Sequence, residues 1–105
     1  PRRILLEHIR YVERVGRCVR YFCTDGTVDS QTIRVSFREI TSPLLADRRF
    51  YPCGASFVLN FQHVTGVSGQ AALLDSGQTV TLPRTAATDF KKAWGNYWLE
   101  EKDAW

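Results

Sequence analysis

A chain of 105 residues, 44% hydrophobic and 24% charged, is long enough to bury one core without metals or disulfides, so residues 1–105 read as a single domain. No apolar run approaches the roughly 20 residues that cross a bilayer, and no leader pattern is present. The three cysteines, Cys18, Cys23 and Cys53, are odd in number and lack metal-type spacing. These features argue against a membrane span, a zinc module and a disulfide scaffold, and they predict a soluble cytoplasmic protein with reduced thiols that act as small apolar fillers, with a reactive-thiol role for Cys53 as the alternative. The start at Pro1 rather than Met is what a piece excised from a longer protein would show.

The net charge is +3, and the C-terminal stretch 100–105 holds three acids against one base; without it the balance is thirteen bases to eight acids, or +5. Eleven of the fourteen bases are arginine, whose fork suits phosphate and guanine better than an ammonium does. The balance fits a polyanionic partner and fits equally a mildly basic solvated surface.

In chain order, residues 2–6 read as a first strand, and Arg10–Val15 as a second after a turn at 6–9. Gly16-Arg17 forms a tip. Cys18–Cys23 is aromatic and β-branched, Thr24-Asp25-Gly26-Thr27 is a hairpin turn, and Val28–Val35 completes a meander. Ser36-Phe37-Arg38-Glu39 is a capping box that starts a helix near 36–45, kept short or kinked by Pro43, with Phe37, Ile40, Leu44 and Leu45 facing the core.

Phe50–Asn60 is the stretch around which the other elements are arranged. Phe57 and Leu59 point to one side of a strand and Val58 to the other, so a strand here is buried on both faces. The bend at Gly54-Ala55 is thereby held by a rigid core, a good place for a recognition loop. Further strands follow to Leu82, where Pro83 ends the pairing and hands Arg84 to solvent. Thr85 reads as the N-cap of a closing helix near 85–99, in which Ala86, Phe90, Ala93, Trp94, Tyr97 and Trp98 make a packing stripe.

Enzyme chemistry finds little support. His8 and His63 stand alone without ligand spacing, Ser56 has no base near it in sequence, and the glycines form no phosphate-cradling loop. The reading is of a non-enzyme with no cofactor and no metal.

The order of these pieces resembles the LytTR DNA-binding domain found at the C-terminal end of many bacterial response regulators. Ile9-Arg10-Tyr11-Val12-Glu13 is similar to the opening Ile-x-Tyr-Ile-Glu of that family, and Gly16-Arg17-Cys18-Val19 to its Gly-Arg-Tyr-Val. Ser36-Phe37-Arg38-Glu39-Ile40 resembles Ser-Leu-Lys-Glu-Leu, Phe50 with Ser56-Phe57-Val58-Leu59-Asn60 resembles the Phe…Ser-Phe-Ile-Val-Asn block, and Leu82-Pro83-Arg84 resembles Val-Ser-Arg. The pieces together run over nearly the whole chain.

The resemblance implies a mainly β domain of about ten short antiparallel strands in several small sheets, whose loops enter the major groove of promoter DNA. It also implies no membrane contact, a receiver or other regulatory domain upstream, and two copies side by side on direct repeats. Carried over position by position, the tip at Arg17, the bend at Gly54 and Ala55, and Arg84 would meet DNA; Arg14, Arg20, Arg48 and Arg49 can be assigned only to phosphates, with solvated surface charge as an equal alternative for each. Gly54 and Ala55 depart from the family, which usually has His followed by Arg or Asn there. Pro43 and Pro52 are further departures. The alternative is a degenerate LytTR-like domain that no longer reads DNA and serves protein contacts or dimerisation through Trp94, Trp98 and Trp105.

Overall fold

The computed structural model describes residues 4–103, with side chains through Glu100. Two antiparallel sheets and two helices make three layers. The larger sheet contains β1 (Ile9–Val15), β2 (Cys18–Cys23), β3 (Gly26–Asp29), β4 (Phe50–Pro52) and β5 (Phe57–Asn60), in the order β3-β2-β1-β5-β4. The smaller sheet is β6 (Val64–Ser68), β7 (Ala71–Leu74) and β8 (Thr79–Thr81) in sequence order. Helix α1 (Phe37–Leu45) covers one face of the larger sheet, and the smaller sheet with α2 (Arg84–Asp103) covers the other.

The side-chain alternation of β5 builds this layering. Val58 belongs to the cluster with Val12, Val19, Phe50, Phe37 and Leu44 on the α1 side. Leu59, with Phe57 packed beside it, joins Tyr11, Phe61, Leu74, Leu82 and Phe90 on the other. Both faces are dry, as the apolar run predicts, and β5 is bonded along both edges by β1 and β4. Asn60 ends the run without leaving a buried polar atom unpaired: its Nδ2 donates to the Ile9 carbonyl at 2.8 Å and its Oδ1 accepts from the Gln62 amide at 2.9 Å.

Half of the capping box is present: the Ser36 side chain accepts from the Glu39 amide at 3.2 Å, while the Glu39 carboxylate makes no return bond to the Ser36 amide. Pro43 sits inside α1 and has no amide hydrogen for the Glu39 carbonyl; the Ser42 hydroxyl donates to that oxygen at 3.0 Å instead. Phe37 and Leu44 are buried and Ile40 and Leu45 pack against them. The aromatic stripe on α2 is likewise a packing face, with Phe90 and Tyr97 buried and the Trp94 indole N–H donating to the Val64 carbonyl at 3.0 Å.

Four expectations need correction. There are eight strands among the described residues rather than about ten. Among the described residues no strand forms before β1, where Leu6–His8 closes a 3-10 turn through the His8 amide and the Leu5 carbonyl at 3.0 Å; Arg2 and Arg3 lie outside the described residues. The third strand stops at Asp29 rather than Val35: the Ser30 amide still donates to the Val19 carbonyl at 2.9 Å, but the Val19 amide turns to the Ser30 hydroxyl at 2.9 Å, so the reciprocal backbone bond that would continue the ladder is replaced. Finally, α2 begins at Arg84, before the expected cap at Thr85, and the Pro83 carbonyl accepts from the amides of Ala86 and Ala87 at 2.9 and 3.1 Å.

Candidate functional site

The antiparallel register of β1 and β5 sets Glu13 opposite Phe57, which brings the end of β1 beside the chain entering β5. One residue further on, the Arg14 amide donates to the Ser56 carbonyl at 3.0 Å. The tip Gly16-Arg17, turned by Gly16 at φ +60°, therefore stands next to the exposed bend 54–56. The bend is closed by the Cys53 amide donating to the Phe57 carbonyl at 2.8 Å and turned by Gly54 at φ +88°. On its other flank lies Pro83, whose Cγ would be 3.6 Å from a β-carbon built on Gly54. Arg84 follows directly, exposed in the first turn of α2. Tip, bend and helix start thus form one continuous surface at one end of the larger sheet.

The arginines divide by what they touch. Arg10 is paired with Asp75 at 2.8 Å, Arg20 with Asp29 at 2.7 Å, Arg49 with Asp47 at 2.9 Å, and Arg48 with Glu100. Arg14 donates Nε to the Gly16 carbonyl at 3.1 Å, which folds it over the tip. Arg17 and Arg84 are exposed and bond to no carboxylate among the described residues. The geometry thus brings Arg14, Arg17, Gly54, Ala55 and Arg84 together and sets Arg48 and Arg49 apart. Those two precede Phe50, at the end of β4 away from the bend, roughly 10 Å of strand from it. Arg48 lies 5.3 Å from the centre of the Tyr97 ring and Arg49 5.9 Å from that of Phe50.

Two further exposed arginines border the surface. The Ile33 amide donates to the Arg17 carbonyl at 2.9 Å, so Arg34 emerges beside the tip. Arg38, in the first turn of α1, lines a shallow recess with Pro52, Gly54 and Ala55. No local signal in the sequence marks either one: neither has a carboxylate three or four residues away, but the same is true of Arg20 and Arg48, which the fold pairs with Asp29 and Glu100.

Acid near this end includes Glu39, exposed in the first turn of α1 beside Arg38. Glu13 is the one carboxylate on β1, and Asp29 is held below the usual carboxylate range by the Arg20 guanidinium bonded to it. Under the bend, Cys53 is 1% exposed and burial pushes its thiol up to about 12, the opposite of the exposed, low-pKa setting that a reactive thiol needs. His63 lies elsewhere, with Nδ1 2.5 Å from Asp75 and Nε2 2.7 Å from the Glu7 carbonyl. Among the described residues, no three His, Cys, Asp or Glu side chains converge as a metal site would need, and no helix is long and apolar enough to cross a membrane.

No protein-family model and no curated protein matches the chain. Among solved structures, it is similar to the LytTr DNA-binding domain of a methyl-accepting/DNA response regulator from Bacillus cereus. The two superpose with a TM-score of 0.70 at 21% identity, over 88% of this chain and 85% of that one. The likeness shows that the chain has the LytTr fold, as the ordered motifs predict.

Proposed function

We propose that this is a sequence-specific DNA-binding domain of a bacterial transcriptional regulator, which places the Arg17 tip, the Gly54-Ala55 bend and Arg84 against one major groove. What carries the reading is the continuous surface on which exposed arginines from separate segments, without a carboxylate partner among the described residues, flank a side-chain-poor bend; the shared fold with a DNA-binding domain supports it. Arg17 and Arg84 keep their forks open for guanine acceptors, and Arg14 contributes its remaining N–H groups to phosphate. Gly54 and Ala55 supply backbone groups and close approach rather than side-chain contacts. Arg48 and Arg49 fall outside this interface, their guanidiniums already engaged by Glu100 and Asp47. An upstream receiver domain, a cytoplasmic location and pairing of two copies on direct repeats belong to the same proposal.

The test is a titration of labelled duplexes across salt. Neutralised phosphates release counterions, so the logarithm of affinity falls with the logarithm of salt by roughly 0.9 per phosphate. Affinity that is undetectable at low salt, or indifferent to salt, overturns the proposal.

A second reading, a protein contact, has its own observation. Trp98 and Leu99 are 40% and 60% exposed side by side on α2, near a groove bordered by Gln62, Thr65 and Trp94. Trp105 lies outside the described residues. Association through this face would be nearly indifferent to salt, which separates the two readings.

A further inference from the structure

Arg34 and Arg38 have no role in the fold that the contacts reveal. Both are exposed, and among the described residues neither bonds to a carboxylate, whereas Arg10, Arg20, Arg48 and Arg49 are all paired. An arginine left open on a surface already dense in like charge is disfavoured unless an anion arrives. Arg38 stands in the first turn of α1, where the helix dipole opposes a cation and Glu39 in the same turn offsets it in part. Their placement is specific: Arg34 follows the residue whose amide holds the Arg17 carbonyl, and Arg38 borders Gly54 and Ala55. They lie on the α1 side of the bend, while Pro83 and Arg84 lie on the α2 side.

Resting on the DNA-binding reading, we propose that Arg34 and Arg38 hold backbone phosphates of the duplex along the α1 flank of the bend, extending the interface beyond the three loops. Phosphate is the occupant that the chemistry favours. The two guanidiniums come from different segments around a bend without side chains, so they match a line of anions rather than one planar base edge. Such contacts position the domain and carry no sequence preference. They make up for the missing His and Arg or Asn side chains with charge from a neighbouring element.

The test uses the whole chain and a random-sequence 20-base-pair duplex, titrated by fluorescence anisotropy between 50 and 200 mM NaCl. Replacing both residues, Arg34→Gln with Arg38→Gln, is expected to lower the salt slope by about 1.8, roughly 0.9 per phosphate lost, and to weaken binding equally on every sequence. Arg34→Lys with Arg38→Lys restores the slope, because a point charge still attracts phosphate, and this separates loss of charge from loss of structure. Arg48→Gln, remote and paired with Glu100, leaves the slope unchanged. If the wild type shows a steep slope and the double glutamine variant keeps it, this inference fails while the DNA-binding reading stands. A wild type without salt-dependent binding overturns both.

Discussion

Gly54 faces Pro83: a β-carbon built on Gly54 would lie 3.6 Å from Pro83 Cγ, an ordinary van der Waals distance, so space does not require the glycine. Its backbone does, because φ is +88°, where L-residues are strained. Placing a family-like histidine at 54 therefore strains the bend, whereas position 55 has an ordinary backbone and an exposed side chain. Gly54→Ala is expected to destabilise the domain by about 1 to 2 kcal/mol in urea unfolding. Ala55→Arg is expected to leave stability within about 0.5 kcal/mol and to tighten binding to random-sequence DNA. An Ala55→Arg variant that folds normally and binds no tighter would mean that the bend faces away from DNA.

Arg84 is a cation in the first turn of a 20-residue helix whose first turn has no acidic residue. The helix dipole opposes it there, by about 0.3 to 1 kcal/mol. Arg84→Ala is thus expected to leave the fold intact and to raise its stability by a few tenths of a kcal/mol, while weakening a cognate site by about 1 to 3 kcal/mol and flattening its advantage over random DNA. Equal losses on cognate and random duplexes would reassign Arg84 to phosphate. No loss on either would remove it from the interface.

The contrast between Arg84 and Arg48 marks where reading the chain stops. Double-sided burial of Phe57, Val58 and Leu59 follows from strand alternation, and the start of α1 from the Ser36 and Glu39 spacing, because both are local patterns. Whether an arginine is open or occupied is not local. The partner of Arg48 is Glu100, 52 positions away, and only the docking of α2 beside β4 brings them together. Arg34 was hidden in what reads as strand, and leaves the ladder because the Ser30 hydroxyl takes the Val19 amide. The placement of Gly54 opposite Pro83 depends equally on how the two sheets stack.

The thiols should rank by exposure. Cys53 is 1% exposed with its thiol pushed up to about 12 by burial, Cys23 is 7% exposed, and Cys18 is half-buried at the start of β2. Iodoacetamide at pH 8 under native conditions is expected to label Cys18 first and to reach Cys53 only through unfolding. Peptide mapping showing early alkylation of Cys53 would mean that the bend opens readily, contrary to a rigid recognition loop.

Asp75 joins the two sheets. Its Oδ1 accepts from Arg10 Nε at 2.8 Å, on β1 of the larger sheet, and its Oδ2 lies 2.5 Å from Nδ1 of His63, just before β6 of the smaller one. Burial alone would raise its carboxyl, but the bonds from Arg10 and His63 outweigh it and hold the group below its usual range. A depressed folded value means that the stabilisation is complete above the unfolded carboxylate pKa of about 3.9 and is lost as pH falls through the folded value. Asp75→Asn is expected to destabilise the domain at pH 7, by about 1 kcal/mol because the side chain is 36% exposed and water screens the pair. The gap between wild type and variant in urea midpoint should then narrow below about pH 4 and close once the wild-type carboxyl is protonated. A gap that stays constant from pH 7 to pH 3 would show that the charge of Asp75 does not hold the sheets together.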